Sequence, residues 1–430
     1  MEKRDCGRKE LELYIHIPFC VRKCLYCDFL SAPGDEDTKD RYMKALLTET
    51  VRSALRYGDY QVTSIFIGGG TPSVMRAAHI SELMDAVRAY YDLAEDAEVT
   101  MEVNPGTVSG EALRRFREAG VNRLSIGLQS ADDRELAAIG RIHTWRQFLE
   151  AFRAARQAGF ANLNVDIMSA LPGQTLSGYR HTLEKVLALE EPPEHISAYS
   201  LILEEGTPLY DRFEKGELEL PDEDTDRVMY QETKRILAQA GYKRYEISNY
   251  AKKGYECRHN CGYWQRKNYA GFGIGAASLV ENVRFRNSAD LQAYLKNPLG
   301  CREDVQALGR QEQMEEFMFL GLRMTEGVDC GEFRKLFGCG LEEVYGEVVR
   351  KNVEDGLLRY LPGNREEDRN MLSVGSGVPE NRNMQPVGPS VPADGNMQTV
   401  GLNVPADNMR LALTDRGLDL SNYVMAQFLK

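Results

Sequence analysis

The sequence contains no apolar stretch long enough to cross a bilayer, and no apolar segment of the secretory type follows Met1. Positive charge is also scarce, since 53 lysines and arginines stand against 65 aspartates and glutamates, a formal net charge of −12. A general nucleic-acid binder needs a basic surface to neutralise phosphates, so nucleic acid is not an expected partner. We therefore expect a cytoplasmic protein without a transmembrane segment.

Cysteine is too sparse for the disulfide framework of a small secreted protein, because nine cysteines are spread over 430 residues. Three of them, Cys20, Cys24 and Cys27, stand together in the segment 20–27 (CVRKCLYC) with no fourth cysteine nearby. A [4Fe-4S] cluster is normally held by four thiolates, so three would leave one iron open for chemistry. The alternatives are a zinc site, which usually wants four closed ligands, and unrelated buried thiols. His16 is a weaker candidate for a fourth ligand because it stands in a predicted strand.

Short β-rich runs alternate with longer helical patterns from residue 11 to about residue 200, which is typical of repeated β-α units on a parallel sheet. Six such units make most of a barrel, so we expect an α/β fold with a partial (β/α)6 TIM-like barrel. The predicted strands lie near 11–17, 62–67, 98–103, 122–128, 161–167 and 195–201, and the predicted helices at 40–55, 78–91, 109–119, 145–158 and 176–189.

The predicted strands alternate between apolar and polar residues, although parallel strands covered on both faces usually read as continuous apolar runs. One face therefore carries small and polar residues, namely Glu102, Asn104, Ser125, Gly127, Gln129, Asn164 and Asp166. A packed barrel core would exclude carboxylates such as Glu102 and Asp166, so we expect these residues to line a lumen that holds a polar ligand. The alternative is that the polar residues only mark the ends of the strands. This alternative can account for polar residues on one or two strands, but less well for polar residues on several successive strands.

Residues 301–430 are predicted to form a second, mostly helical, winged-helix-like domain, after the barrel and its extension in residues 1–300. Helical patterns from about Glu312 onward are followed by a short β element at 409–414 and a last helix. Within this domain the segment 364–408 repeats the words NMLSVG, NMQPVG and NMQTVG at 13-residue intervals. Three short polar units cannot bury a solenoid core, so we interpret the segment as a disordered or weakly ordered insertion without chemistry of its own.

A glycine run, residues 68–72 (GGGTP), follows the second predicted strand at its carboxyl end, where the ligands of barrel folds bind. Together with the cysteine segment 20–27, this run resembles the radical S-adenosylmethionine (SAM) superfamily. The segment 14–20 (YIHIPFC) is similar to the oxygen-independent coproporphyrinogen III oxidase-like branch of that superfamily. The resemblance implies a [4Fe-4S] cluster on the three cysteines, with the amino and carboxylate groups of SAM chelating its open iron.

The same resemblance assigns SAM binding to nine further residues. They are Tyr14, Tyr26, Gly69, Gly70, Thr71, Glu102, Gln129, Arg141 and Asp166. It implies that Tyr26 lies against SAM or the cluster and that residues 69–71 meet the methionine moiety. Carboxylates suit ribose hydroxyls and a cationic sulfonium, and Arg141 offers a fixed fork of donors to a carboxylate. The alternative is that Arg141 forms a surface salt bridge and Gln129 caps a strand.

Two further features bear on the activity. Coproporphyrinogen oxidases of this branch look like Cys-x-x-x-Cys-x-x-Cys-x-Cys, and here Phe29 stands at the position of the last cysteine, which argues against the decarboxylase activity. The segment 257–264 (CRHNCGYW) resembles a motif of the heme chaperones of the same branch. This resemblance implies that heme is bound by His259, Asn260, Tyr263 and Trp264. The imidazole is a suitable iron ligand and the aromatic rings can pack on the macrocycle.

Two alternatives to heme binding stay open for this segment. His259 can be a satisfied loop histidine beside two core aromatic residues. The pattern Cys257-x-His259-x-Cys261 also suggests zinc, although no complementary pair of ligands is visible.

The resemblance as a whole implies a heme chaperone that delivers heme to respiratory heme proteins. The alternative is a radical SAM oxidase that converts coproporphyrinogen III to protoporphyrinogen IX by oxidative decarboxylation. An electron donor is a further expected partner if SAM is cleaved. Peripheral association with a membrane stays open.

Overall fold

The computed structural model describes residues 8–363 and 408–429. The repeat segment predicted at 364–408 therefore lies, except for its last residue, outside the described residues. Within the described ranges, no helix combines the length and the apolar character needed to cross a membrane.

The chain divides into two compact units, the first ending at Gln313 and the second beginning at Met314. The sequence predicts this boundary at residue 301. In the structure, Arg302–Ala307 forms antiparallel pairs with Val283–Asn287 and so belongs to the sheet of the first unit.

The first unit is built on one large sheet of twelve strands. They are β1 (Lys9–Ile17), β2 (Tyr60–Gly69), β3 (Asp92–Val103), β4 (Arg123–Gln129), β5 (Asn162–Ser169), β6 (His195–Ser200), β7 (Lys243–Arg244), β8 (Asn249–Ala251), β9 (Tyr269–Phe272), β10 (Ala277–Val280), β11 (Val283–Asn287) and β12 (Arg302–Ala307). Strands β1 to β6 lie side by side in chain order and pair in parallel, as the six predicted β-α units require. Strand β9 pairs in parallel with the other edge of β1, and the sheet continues through β10, β11 and β12 on that side and through β8 and β7 beyond β6.

The helices of the first unit include all five that the sequence predicted. They are α1 (Glu36–Ser53), α2 (Ala77–Tyr90), α3 (Gly110–Glu118), α4 (Asp133–Ala138), α5 (Trp145–Gln157), α6 (Leu176–Leu187), α7 (Pro208–Glu214), α8 (Glu223–Gln239), α9 (Arg258–Trp264) and α10 (Leu291–Lys296). Side chains that cap the first backbone amides determine where several of these helices begin. At the start of α1, the Asp35 carboxylate accepts a hydrogen bond from the Thr38 amide. Helix α5 begins with a capping box, in which the side chains of Thr144 and Gln147 bind each other's backbone amides.

The alternation predicted for the strands separates two environments in the structure. On β4, Leu124, Ile126 and Leu128 are fully buried in the hydrophobic core between the sheet and the helices. The intervening residues point to the opposite face because successive side chains on a strand alternate. The sheet therefore has one face packed under helices and one face that is polar.

The second unit is mostly helical and carries a small antiparallel sheet. Its elements are α11 (Arg310–Gly321), which begins shortly before the boundary, β13 (Val328–Asp329), α12 (Cys330–Phe337), α13 (Leu341–Glu354), β14 (Leu358–Pro362), β15 (Met409–Leu413), α14 (Asp415–Asp419) and α15 (Ser421–Ala426). The sheet order is β13-β15-β14 with antiparallel pairs. A mostly helical unit with a small three-stranded antiparallel sheet agrees with the predicted winged-helix-like architecture.

Candidate cofactor site

A cavity of about 570 Å³ opens at the carboxyl ends of the parallel strands and extends into the barrel. Its volume is in the range of small-molecule sites, about 300 to 1,000 Å³. All seven residues predicted to line a polar lumen do line it: Glu102, Asn104, Ser125, Gly127, Gln129, Asn164 and Asp166. The prediction of a polar lumen from strand alternation is thus confirmed.

The cysteine segment forms one wall of the mouth of this cavity, and Cys20, Cys24 and Cys27 all line it. The loop is held by backbone bonds at its two ends, where the Cys20 amide donates to the Ala32 carbonyl at 3.1 Å and the Ala32 amide to Pro18 at 2.9 Å. Two polar side chains reach the sulfurs from other loops. Thr71 Oγ1 lies 3.4 Å from Cys20 Sγ, and Arg141 Nη1 lies 3.7 Å from Cys24 Sγ.

The three thiols of the cysteine segment all line the mouth of the cavity and match the donor set expected for a [4Fe-4S] cluster. In a [4Fe-4S] cluster each thiolate binds a different iron, so the three sulfurs surround a volume instead of one point. The polar Thr71 hydroxyl and the Arg141 cation suit the negative charge of thiolates.

The glycine run lies directly against the backbone of the cysteine loop. The amides of Gly70 and Thr71 donate to the carbonyls of Ile17 and Phe19, each at 2.8 Å. A Cβ at Gly70 would lie 2.7 Å from the Phe19 carbonyl oxygen, so only glycine permits this approach. Gly69, with φ of +112°, adopts a conformation that favours glycine. The run therefore fixes the cysteine loop, and Gly69, Gly70 and Thr71 line the cavity beside it.

Two carboxylates, Glu102 and Asp166, face the cavity. Burial raises the pKa of Glu102 to about 7, and the charge of Asp166 adds to this, while the hydrogen bond from Gly69 opposes it. Burial also raises the pKa of Asp166, against the lowering effect of hydrogen bonds from neighbouring side chains. Two carboxylates in one buried cavity suit a ligand that is cationic or rich in hydroxyl donors.

Arg141 and Gln129 approach the cavity with unused hydrogen-bonding capacity. Arg141 Nη2 donates to Asn104 Oδ1 at 2.9 Å and to the Gly127 carbonyl at 2.5 Å, while its Nε has no partner among the described residues. In the same part of the chain Gln129 Oε1 is buried without a partner, and its φ of +67° is rare for a residue with a side chain. The Arg141 side chain lines the cavity and donates to Asn104 and Gly127, which does not fit the alternative of a surface salt bridge, and Gln129 lines the cavity as the last residue of β4.

The two predicted tyrosines lie in different places. Tyr26 lines the cavity, as the resemblance implies for a residue beside SAM or the cluster. Tyr14 is not among the residues that line the cavity, and its assignment as a SAM contact stays a prediction. Its hydroxyl lies 3.0 Å from His16 Nδ1, and its ring stacks on Phe66, which does line the cavity.

The predicted heme segment forms helix α9, near the floor of the barrel. His259 is 1% exposed, with Nδ1 at 2.8 Å from Ser64 Oγ and Nε2 at 3.0 Å from the Tyr263 hydroxyl. Its ring stacks on Phe66 at 5.3 Å. Burial lowers the pKa of His259 to about 3, and the charge of Arg123 contributes to this lowering, so the ring is neutral.

In this arrangement His259 cannot ligate iron, because both ring nitrogens are engaged and the ring is enclosed. The alternative of a satisfied histidine describes this arrangement, on a helix instead of a loop, and the assignment of His259 as a heme ligand stays a prediction. Asn260 does line the cavity. Tyr263 packs edge-on against both His259 and Tyr269, and Trp264 is the half-buried last residue of α9.

Phe29 lies at the cavity mouth with 63% of its surface exposed. It provides no ligand for a metal at the position where the related oxidases have a cysteine. The exposed ring instead gives the mouth an apolar group beside the three thiols.

Sequence reasoning missed several residues of the cavity, of which Arg123 is the most notable. It is 2% exposed, lines the cavity, and its Nε has no partner within the described ranges. The signal was available, since Arg123 shares its strand face with Ser125, Gly127 and Gln129. Ser197 and Tyr199 of β6 also line the cavity and follow the same alternation.

Comparison with known proteins identifies the class. Residues 14–186 match the Radical SAM superfamily, and residues 308–361 match the HemN C-terminal domain. The solved structure of coproporphyrinogen III oxidase (HemN) from Escherichia coli shares the fold, with a TM-score of 0.76 and 21% identity over 99% of this chain and 92% of that chain. The fold and the cysteine-lined cavity thus define a radical SAM protein.

Relatives in sequence narrow the class. The chain is 38% identical to the heme chaperone HemW of Lactococcus lactis subsp. lactis (strain IL1403) over 352 residues, which are 82% of this chain and 91% of that protein. It is 42% identical to the heme chaperone HemW of Escherichia coli (strain K12) over 356 residues, 81% of this chain and 90% of that protein. The chain belongs to the HemW family.

Proposed function

We propose that the protein is a cytoplasmic heme chaperone that binds a [4Fe-4S] cluster, SAM and heme and delivers heme to respiratory heme proteins. The observation that carries the proposal is the composition of the cavity mouth. The three thiols of the cysteine segment and the glycine run meet there, and Phe29 occupies the position at which a fourth cysteine would stand. The names of the relatives support the assignment to heme, because proteins 38% and 42% identical to this chain are heme chaperones.

The residues of the cavity suit the two cofactors. Cys20, Cys24 and Cys27 would hold the cluster, and the backbone of residues 69–71 would meet the methionine moiety of SAM. Glu102 and Asp166 offer acceptors for ribose hydroxyls and negative charge for the sulfonium. When bound, the cluster supplies a one-electron redox centre and an iron with an open position.

Heme binding through His259 requires a change in the structure. A ring nitrogen becomes available to iron only if the bond to Ser64 or to Tyr263 is released, and a macrocycle reaches the ring only if α9 moves away from the barrel. We therefore propose His259 as a heme ligand only in a state with α9 displaced, and Tyr263 and Trp264 as rings that then become free to pack on heme.

An anaerobic experiment on the reconstituted protein separates chaperone from oxidase. The protein is incubated with SAM, a reductant and coproporphyrinogen III, and a parallel sample is titrated with heme. The proposal predicts stoichiometric heme binding and no decarboxylated product beyond background. Formation of protoporphyrinogen IX with many turnovers would establish the oxidase and overturn the chaperone assignment.

The role of His259 is tested with a matched pair of variants. His259→Ala should change the absorption spectrum of bound heme, whereas His181→Ala, on the exposed face of α6, should not. An unchanged heme spectrum in His259→Ala removes His259 as the ligand and leaves the chaperone assignment intact.

A further inference from the structure

His195, the first residue of β6, is buried without lining the cavity, yet it contacts a residue that does. The side chain is 1% exposed. Its Nδ1 lies 2.6 Å from Asn164 Oδ1, and its Nε2 lies 2.9 Å from the hydroxyl of Tyr245. Both ring nitrogens therefore have one partner each, and Asn164 lines the cavity.

The orientation of the Asn164 amide is fixed by its other partners. Asn164 Nδ2 lies 2.8 Å from Asp166 Oδ1 and 2.7 Å from Ser125 Oγ. Ser197 Oγ lies 3.2 Å from Asn164 Oδ1 and can donate to it, so the arrangement presents the NH₂ of the amide to Asp166 and its oxygen to Ser197 and His195. The Asn164 oxygen accepts only, and His195 Nδ1 must therefore carry the proton.

The contacts of Nε2, on the other side of the imidazole, also place the proton on Nδ1. Burial lowers the pKa of His195 well below its ordinary value, so the ring is neutral and carries one proton. With that proton on Nδ1, Nε2 accepts from the Tyr245 hydroxyl. The Tyr245 oxygen in turn accepts from the backbone amide of Cys257, at 3.2 Å, and this amide can only donate. With the proton of His195 on Nδ1, each donor in the chain from Cys257 to Asp166 meets an acceptor.

The consequence lies at Asp166. The NH₂ of Asn164 and the hydroxyl of Ser125, which is 3.2 Å from Asp166 Oδ2, both donate to this carboxylate and favour its ionised form. Asp166 then presents acceptors and no donor to the cavity. A ligand that meets it must offer hydroxyl or amine donors, as the ribose diol of a nucleoside does.

We propose that His195 is a positioning residue of the cofactor site, which acts through Asn164 to hold Asp166 as an acceptor for the ribose hydroxyls of the ligand. This inference rests on the proposed function, in that SAM is the ligand. His195 does not line the cavity, and its contribution is a donor to Asn164 Oδ1 that, together with Ser197, stabilises the orientation in which the amide presents its NH₂ to Asp166.

Two polar substitutions of His195 distinguish a role in positioning Asn164 from a role in filling space in the core. In His195→Asn the side-chain amide nitrogen can take the place of Nδ1 and still donate to Asn164. In His195→Gln the amide takes the place of Nε2, so the bond to Tyr245 is kept and the donor to Asn164 is lost. A residue needed only to fill space would tolerate the larger glutamine better than the smaller asparagine.

The experiment measures the dissociation constant of SAM by calorimetry on the reconstituted holoprotein. Cluster content and circular dichroism verify that each variant is folded. We expect His195→Asn to bind SAM within about threefold of the wild type and His195→Gln to bind about tenfold more weakly, as expected for a hydrogen bond that supports a charged group. In an Asn164→Ala background, His195→Gln should have no further effect.

A second readout concerns ligand selection. Wild type and His195→Asn should bind adenosine more tightly than 2′,3′-dideoxyadenosine, and His195→Gln should lose most of this discrimination. Equal SAM affinity in wild type and His195→Gln, or a weaker affinity for His195→Asn than for His195→Gln, would overturn the inference alone. A wild-type holoprotein that does not bind SAM would overturn the proposed function, and the inference with it.

Discussion

The amide of Gly69 donates a hydrogen bond of 3.0 Å to Glu102 Oε2. This bond joins the glycine run after β2 to the acidic residue near the end of β3, and both line the same cavity. The cysteine loop lies against the other side of the run through Gly70 and Thr71. A single glycine run thus fixes the places of the thiols and of a carboxylate relative to each other.

SAM affinity should depend on pH through Glu102. The pKa of Glu102 is raised to about 7, so the carboxyl is increasingly protonated below that pH and ionised above it. A cationic sulfonium is attracted by the ionised form, and we expect affinity to rise as pH increases from 6 to 8. Glu102→Gln should bind SAM about tenfold more weakly at pH 8 and show a flatter pH profile.

The matched control for this pH profile is Glu111→Gln, on the exposed surface of α3. It should reproduce the affinity and the pH profile of the wild type. A Glu102→Gln protein with the wild-type profile would show that another group titrates.

Replacement of Gly70 by alanine should displace the cysteine loop. The added Cβ would lie 2.7 Å from the Phe19 oxygen and 2.9 Å from the Ile17 oxygen, both of them backbone atoms that cannot move freely. We expect loss of cluster incorporation and a destabilisation of about 1 to 3 kcal/mol. Iron content after anaerobic reconstitution and thermal unfolding measure the two effects.

Gly58→Ala provides the comparison for this prediction, because nothing lies within 4 Å of a Cβ at Gly58 among the described residues. It should take up iron like the wild type and unfold at a similar temperature. If Gly70→Ala also behaves like the wild type, the close packing of the run against the loop is not needed for cluster binding.

Each cysteine of the triplet should be required for the cluster. Cys20→Ser, Cys24→Ser and Cys27→Ser should each lose most of the iron and the visible absorption after reconstitution, because a cubane held by two thiolates is poorly retained. Cys339→Ser, in the second unit, should keep both. Full iron content in any triplet variant would show that the cluster uses a different set of ligands.

Protein stability should fall as the pH rises, because of Glu12. This residue is 2% exposed, and burial raises its pKa to about 8 from an ordinary value of 4.5. Above pH 4.5 the unfolded chain releases the proton that the folded protein keeps, so the free energy of unfolding decreases up to about pH 8 and then levels off. Between these two pH values, Glu12 alone lowers the free energy of unfolding by about 1.4 kcal/mol per pH unit.

Glu12→Gln keeps the shape of the protonated side chain and should flatten this dependence, most visibly above pH 7. Glu118→Gln, exposed on α3, should leave the dependence unchanged. Thermal unfolding between pH 5 and 9 compares the three proteins. A wild type more stable at pH 9 than at pH 6 contradicts the assignment of a raised pKa to this carboxyl.

The six-stranded core of the fold could be predicted from the sequence because each strand is bounded by a helix pattern and carries a regular alternation. The same alternation located Glu102, Gln129 and Asp166 in the cavity. Arg141 could not be placed in this way, since it lies in the loop after α4, and only the resemblance indicated it. Strands β7 to β11 have only two to five residues each, which is too short for a periodic pattern to be recognised.

The position of His259 was the least accessible to sequence reasoning. A histidine in a short polar segment is equally compatible with a role as a ligand and with a buried position. Whether it is buried depends on residues that are far away in the chain. Ser64 lies on β2, and Phe66 on the same strand supplies the ring on which the imidazole stacks. Nothing in the local sequence of α9 indicates these two contacts.

Heme transfer tests the central claim most directly. The reconstituted protein is loaded with heme, freed of excess, and mixed anaerobically with the apo form of a respiratory b-type heme protein, while the receiver's heme spectrum is followed. We predict that heme passes to the receiver in stoichiometric amounts, and that the same preparation forms no protoporphyrinogen IX from coproporphyrinogen III. A preparation that binds no heme, or that keeps its heme and decarboxylates coproporphyrinogen III catalytically, would contradict it.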